Sequence, residues 1–244
     1  AGAHLALAEV GALHALRMKD RQGDFPDYTG AFYDGDFSKT YEQAQKDKHA
    51  WIFDGLGLEQ DLVGKRLLDI GCGWGPMLNA TRQRGGEATG LTLSSGQAKH
   101  CQARGLNALL KDYRDLKAGE LGMFDGIVSL GAFEHFCSVE ENLAGRQEDI
   151  YCRFFKICAD RLPPSGRLFL QTMTWGRAVP DHNKFSLQAP PDSSEAILAR
   201  MEYLFPGSWL PNGLKQLIAC ASEYFYFISN NNGRLDYLQT LKEW

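Results

Sequence analysis

Leu67-Leu68-Asp69-Ile70-Gly71-Cys72-Gly73-Trp74-Gly75 reads as an apolar strand that ends near a carboxylate and runs into a glycine-rich turn. The glycines let the backbone turn tightly and approach a ligand more closely than side chains permit. A helix after such a turn presents its free N–H groups to the same ligand. The spacing is Asp-x-Gly-x-Gly-x-Gly rather than the Gly-x-Gly-x-x-Gly that holds a pyrophosphate, so a cofactor without phosphates is the better match. A plain glycine turn between a strand and a helix is the alternative reading.

Outward from this turn the elements alternate. Upstream, Tyr41 to Gly55 reads as a helix with Thr40 as N-cap and Ala44, Trp51 and Ile52 along one face. Arg66 to Ile70 is the first strand, Pro76 to Arg84 a helix, Ala88 to Leu93 the second strand, Ser95 to Arg104 a helix and Ala108 to Lys111 the third strand. Phe124 to Leu130 is a fourth, strongly apolar strand. Ile150 to Arg161 is a helix that ends before Pro163-Pro164, and Arg167 to Thr172 is the fifth strand. Tyr224 to Ile228 reads as a sixth. This order predicts an α/β fold, a mostly parallel, doubly wound sheet with helices on both faces. A ligand then sits beyond the carboxyl ends of the strands, beside strand one, where Gly71 to Gly75 fall. We divide the chain as one domain: a helical N-terminal cap (1–60), the binding core (61–175), a helical insertion (176–216) and the start of a C-terminal sheet region (217–244). The insertion, Val179 to Leu204 with Pro190-Pro191-Asp192, is expected to cover the substrate mouth.

Composition narrows the class. The chain has 244 residues, 44% apolar and 23% charged, enough for one sizeable core. No apolar run reaches the roughly 18 residues needed to cross a bilayer, and Ala1 to Leu16 lacks the basic start of a signal peptide. That predicts a cytoplasmic protein. The same segment, with Leu5, Val10, Leu13 and Leu16, reads as an amphipathic helix, either lying over a pocket or simply packed. The net charge of −4 argues against a nucleic-acid partner, which needs clustered basic residues, and against electrostatic adhesion to membranes. The six cysteines (Cys72, Cys101, Cys137, Cys152, Cys158, Cys220) form no Cys-x-x-Cys pair, and the six histidines form no His-x-x-x-His. Free thiols and no metal site are expected.

Several polar residues follow strand ends and can be matched to S-adenosylmethionine (SAM), which carries no phosphate. Asp69 lies at the end of strand one, and Gly71 and Gly73 follow it. Thr92 and Gln97 follow strand two and could bond the ribose or the amino-acid end, or else this segment is a helix start capped by Ser94 or Ser95. After strand three, Asp112 could accept from the adenine amine and Tyr113 could pack on the ring, the alternative being a solvated acidic turn. Strand four runs through Leu130 into Gly131-Ala132-Phe133-Glu134-His135-Phe136, which puts Glu134 between aromatic rings. A partly desolvated carboxylate there would stabilise a sulfonium or a developing substrate cation, or would bond backbone N–H groups at a helix start.

The sequence resembles the cyclopropane-fatty-acid synthases and the related mycolic-acid cyclopropane synthases and methyltransferases. The resemblance runs from Tyr28-Thr29-Gly30-Ala31-Phe32-Tyr33 and Glu42-Gln43-Ala44-Gln45, through the glycine turn, Gly90-Leu91-Thr92-Leu93-Ser94 and Asp112-Tyr113-Arg114-Asp115, to the Gly131 to Phe136 segment. Phe205-Pro206-Gly207-Ser208-Trp209-Leu210-Pro211 and Tyr237-Leu238-Gln239-Thr240-Leu241 with Trp244 match as well. It implies a class I, Rossmann-like SAM-methyltransferase with a helical cap over the pocket. SAM is expected at Tyr28, Thr29, Gly71, Gly73, Thr92, Gln97, Asp112, Tyr113 and Leu130, and S-adenosylhomocysteine (SAH) is the implied product. The acceptor implied is a lipid acyl chain or apolar small molecule in a tunnel, with peripheral membrane contact. Family members continue past this chain's end into a last strand. A sheet without it would offer an open edge to a partner chain, a homodimer included.

The family's usual reaction adds the sulfonium methyl to a cis double bond, and the cation loses a proton from the new methyl as a cyclopropane closes. A bicarbonate held by Cys, Glu, His and Tyr side chains and an Ile backbone group takes that proton. In this sequence Glu134 and Tyr237 match, whereas Gly30 stands at the Cys position, Gln171 at the His and Met173 at the Ile. Gln171 donates a hydrogen bond but carries no proton, and Gly30 is expected to enlarge the cavity. Bicarbonate is therefore doubtful here. The expectation is C-methylation of an unsaturated acyl chain or similar alkene, with Glu134, Tyr237, His135 and Gln171 as the catalytic candidates. The alternatives are N- or O-methylation of a small metabolite, with His135 as base, and a SAM-binding paralogue without turnover.

Overall fold

The computed structural model describes residues 23–58 and 61–244. Helix α1 (Tyr41–Gly55) starts at the expected cap, where the Thr40 hydroxyl accepts from the Gln43 N–H at 3.2 Å. Strands β1 (Arg66–Ile70), β2 (Glu87–Thr92), β3 (Asn107–Leu110), β4 (Gly126–Leu130) and β5 (Arg167–Gln171) form one five-stranded parallel sheet in the order β3-β2-β1-β4-β5. Helices α2 (Pro76–Gln83) and α3 (Ser95–Ala103) connect the first three strands, and α4 (Val139–Leu143) and α5 (Gln147–Ala159) lie between β4 and β5. The chain then runs through α6 (Ser194–Leu204), α7 (Leu214–Ala221) and α8 (Arg234–Glu243). The connections reverse direction between β1 and β4, so a crevice opens at the carboxyl ends of those two neighbours.

The two faces of the sheet follow from the alternation of side chains along each strand. Leu68 and Ile70 of β1 and Ile127 of β4 pack on one face with Phe133 and with Tyr151, Phe154 and Phe155 of α5. Leu67 of β1 and Val128 and Leu130 of β4 pack on the other face with Ile52 and Phe53 of α1 and Met77 of α2. Each of these buried side chains contributes roughly 1.5–3 kcal/mol by leaving water, enough to fix which face each strand presents.

The glycine turn does what its sequence predicts. Gly71 has φ +90°, and a Cβ there would lie 2.3 Å from the Ala132 Cβ, so only glycine fits where the two strand ends converge. Gly75 at φ +83° opens α2, and Pro76 occupies its first turn, where no N–H partner is needed.

Several expectations need correction. The third strand lies one residue earlier than expected, and the fourth starts at Gly126 because the Phe124 N–H is spent on the Arg161 carbonyl. Helix α5 begins at Gln147 rather than Ile150. Between Val179 and Leu204 only Ser194–Leu204 is an α-helix, capped by Ser193, with a short 3₁₀ turn at His182–Lys184 before it. The sixth strand is absent: Tyr224 to Ile228 is irregular, Tyr226 is 98% exposed, and the 217–244 region is helical where described structure is regular. A run of aromatic residues ending in isoleucine favours a strand only when another edge pairs with it. The expected helix at Ala1 to Leu16 lies outside the described residues.

Candidate active site

A cavity opens at the carboxyl ends of β1 to β4, and the segment before α1 closes one side of it. Asp69, Gly71 and Gly73 reach it from β1, Thr92 and Gln97 from β2 and α3, Asp112 and Tyr113 from the end of β3, Leu130 and His135 from β4, and Tyr28 and Thr29 from upstream. Every residue expected at the cofactor thus lines one space. Trp74, Phe136 and Phe205 add aromatic walls.

The local chemistry explains why each polar group stays where it is. The Ser94 hydroxyl caps α3 by accepting from the Gln97 N–H at 3.3 Å, while the Thr92 hydroxyl donates to Gln97 Oε1 at 2.7 Å inside the cavity wall. The capping reading of that segment holds, and Thr92 and Gln97 also line the cavity. Asp112 caps the short Tyr113–Asp115 turn and pairs with Arg114 at 2.6 Å. Tyr113 is buried against Phe136 with ring centroids 4.6 Å apart, and its hydroxyl has no hydrogen-bond partner. Tyr28 stacks on Trp244 at 4.3 Å, which ties the upstream segment to the far end of the chain.

Beneath Tyr28 and Thr29 lies a buried charge cluster that the sequence reading missed. Asp27 pairs with Lys48 Nζ at 2.6 Å and His49 Nε2 at 2.9 Å, and the Thr29 hydroxyl donates to its other oxygen at 2.7 Å. The Lys48 side chain is 1% exposed. Burial alone would raise the Asp27 carboxyl, but the Lys48 and His49 charges and hydrogen bonds outweigh it and hold the group well below the usual range. Asp69 lacks such a partner: burial pushes it up to about 8, the Asp27 charge adds to this, and its Oδ1 is buried without a hydrogen bond. A signal was present in the sequence. Tyr41, Ala44, Gln45, Lys48 and Ile52 share the buried face of α1, so a lysine sits at helical spacing among apolar residues.

Glu134, Gln171 and Tyr237 form a separate cluster adjoining the Gly131 turn. Glu134 sits in a short 3₁₀ turn, Phe133–His135, and is 4% exposed. Its Oε1 accepts from the Met173 N–H at 2.7 Å, and its Oε2 is buried with no hydrogen-bond partner. Burial pushes its pKa up to about 7 against the opposing pull of the Met173 N–H, its own backbone N–H and the Thr172 hydroxyl. Glu134 is thus bonded to the backbone N–H of Met173, just past the end of the neighbouring strand β5, and its own N–H at the start of the 3₁₀ turn also pulls on the carboxyl. Gln171 ends β5, and its Nε2 donates to the Gly30 carbonyl at 2.9 Å, leaving its buried Oε1 without a partner. Facing a carbonyl, the amide must present nitrogen, which fixes its orientation.

Tyr237 comes from α8, and burial, then the Glu134 charge, raises its pKa. A Cβ at Gly30 would lie 3.2 Å from Tyr237 Cδ2 and 3.3 Å from Gln171 Nε2. Gly30 therefore does not enlarge a cavity, as the sequence suggested; these two side chains occupy the space beside it. His135 lines the cavity at the strand ends, with Nδ1 2.7 Å from Ser208 Oγ and its ring stacked at 6.4 Å on Phe205.

The model of the mycolic acid cyclopropane synthetase family matches residues 19–244. The chain belongs to the mycolic acid cyclopropane synthetase family. Within this family it is 36% identical to cyclopropane mycolic acid synthase 2 of Mycobacterium leprae over 183 residues, 70% of this chain and 56% of the relative. It is 30% identical to cyclopropane-fatty-acyl-phospholipid synthase of Escherichia coli over 208 residues, 83% of this chain and 46% of the relative. The chain thus spans about half the length of these two relatives. Among solved structures, the mycolic acid cyclopropane synthase CmaA1 complexed with SAH and CTAB superposes with a TM-score of 0.64 at 28% identity, covering 92% of this chain and 76% of that one.

Proposed function

We propose that this chain transfers the methyl group of SAM to a carbon of a double bond in an unsaturated acyl chain. Membership of the cyclopropane synthetase family supports this reading, as do relatives whose names specify mycolic acid and fatty-acyl-phospholipid substrates. The observation that carries it is the convergence of the glycine turn, Asp69, Asp112 and Tyr113 on a cavity that adjoins the buried Glu134 carboxyl.

The residues present fit SAM. When bound, it supplies an electrophilic methyl group on a sulfonium. Gly71 leaves the backbone open to close approach. Asp69 Oδ1 offers a buried, unused acceptor to an ammonium or a ribose hydroxyl, and a nearby cation would hold that carboxyl ionised. Thr92 and Gln97 line the same wall, Asp112 offers an acceptor to an adenine amine, and Tyr113 and Trp74 offer aromatic surface. Near Glu134, exclusion of water strengthens the attraction between its carboxylate and positive charge developing on the acceptor.

The apolar side chains of α6 support an apolar acceptor and contact with a lipid surface. Ile197, Met201, Tyr203 and Leu204 are exposed there, directly before the cavity residue Phe205. No described helix is long and apolar enough to cross a membrane. The cysteines are free thiols, which supports a reducing, cytoplasmic setting.

The reading is tested with trideuteriomethyl-SAM, offered with unsaturated phospholipids in one pool and small amines and phenols in another. Label on the acyl chains is the expected result. Label confined to nitrogen or oxygen products, or no labelled product, overturns it.

A further inference from the structure

The family resemblance implies a bound bicarbonate as proton acceptor, and the residues around Glu134 do not fit one. The backbone N–H of Met173, which would face the anion, donates instead to Glu134 Oε1 at 2.7 Å. The Gln171 amide commits one of its two N–H groups to the Gly30 carbonyl, which turns its nitrogen toward that loop. Two buried acceptor oxygens without partners remain, Glu134 Oε2 and Gln171 Oε1, where an anion needs donors.

We propose that Glu134 is itself the base, its free Oε2 taking the proton released after methyl transfer while Met173 holds Oε1. This rests on the proposed methylation of a double bond. In that step the alkene π pair forms the new carbon–methyl bond, and the sulfur–methyl bond breaks with its pair staying on sulfur. The cation left on the second alkene carbon is then quenched by an adjacent C–H pair, and the proton passes to Glu134 Oε2. A pair from the new methyl closes a cyclopropane, whereas one from a neighbouring chain carbon forms a double bond. The balance is one SAM consumed and one SAH and one proton released, with no further reactant.

The surroundings suit the task. The carboxyl is 4% exposed, its Oε1 is held by the Met173 N–H with the Thr172 hydroxyl and its own N–H close by, and its Oε2 makes no direct hydrogen bond, so the group is oriented without being neutralised. The titratable side chains around it are Tyr151 of α5, Tyr237 of α8 and its neighbour His135, whose Nδ1 contacts Ser208. Burial raises both tyrosines, so they remain neutral in the working range. Burial likewise moves Glu134 up to about 7, the region where a carboxylate accepts protons well and returns them to water readily.

The experiment measures turnover of the wild type, Glu134→Gln and Glu134→Asp in carbon-dioxide-depleted buffer, with and without added bicarbonate, from pH 5.5 to 8.5. Trideuteriomethyl-SAM provides the readout, and SAM affinity by calorimetry reports whether each variant is folded. The wild type is expected to ignore bicarbonate and to gain turnover with rising pH through one ionisation near 7, as Glu134 loses its proton. Glu134→Gln should lose about a hundredfold in turnover, together with that pH dependence, while binding SAM within about threefold of wild type. Glu134→Asp should keep the pH dependence at a reduced rate. If wild type labels acyl chains but requires bicarbonate, or if Glu134→Gln keeps its rate, the assignment of the base is overturned and the methylation reading stands. If wild type labels no acyl chain, both fall.

Discussion

The cavity at the ends of β1 to β4 and the cluster around Glu134 meet at the Gly131 turn, yet they are assembled in opposite ways. Asp69, Gly71, Thr92, Asp112 and Leu130 reach the cavity because each lies within a residue or two of a strand end in a parallel sheet. Gly30, Glu134, Gln171 and Tyr237 meet only because a loop, a 3₁₀ turn, a strand end and a late helix fold against one another. The first region is a local pattern repeated by topology. The second is a set of long-range contacts in which one substitution changes what its neighbours do, as Gln171 does by turning its amide to Gly30.

The largest effect that can break this comparison lies under the segment shared by both regions. Asp27 and Lys48 hold Tyr28 and Thr29 over the cavity, with Gly30 next in the chain. Lys48→Met keeps the volume but strips Asp27 of its ammonium partner in a buried place. We expect a stability loss of about 3–5 kcal/mol, read from the urea midpoint, together with weakened SAM binding. A loss below about 1 kcal/mol would mean that His49 and the Thr29 hydroxyl suffice for Asp27, and that the segment is held by packing instead.

The next effect tests whether the two regions are mechanically joined. Gly71→Ala drives a Cβ to within 2.3 Å of the Ala132 Cβ, at a φ that disfavours alanine. Strand ends β1 and β4 must then separate. SAM affinity is expected to fall at least about tenfold, equivalent to roughly 1.4 kcal/mol, by calorimetry on the folded variant. Unchanged affinity would show that the turn relaxes without moving the cavity.

The same contrast explains what could be read from the sequence. The sheet and cavity were legible because short apolar runs, glycine spacing and caps are local: Thr40 and Ser94 cap their helices, and the residues matched to SAM converge. Lys48 and Asp27 escaped because charged residues are ordinarily solvated, and their pairing joins positions in separate elements. Tyr224 to Ile228 misled for a related reason, since strand propensity carries no knowledge of whether an edge is present. Gly30 misled most instructively. The absence of a side chain was legible, but the occupation of its space by Gln171 and Tyr237 was not.

That last point yields the smallest predicted effect and the sharpest. If Gly30 bordered open space, a methyl group there would cost nothing. The structure gives it neighbours at 3.2 and 3.3 Å, close enough that the Tyr237 ring and the Gln171 amide must each yield by a few tenths of an ångström. Gly30→Ala should therefore destabilise the protein by about 1 kcal/mol through overpacking. In a Gln171→Ala background one of the two contacts is gone, so the cost of the added methyl should fall by at least half. A double-mutant cycle on urea midpoints isolates this coupling between residues 141 positions apart. Strict additivity would separate Gly30 from Gln171 and leave the cluster without the contact that distinguishes it from the cavity beside it.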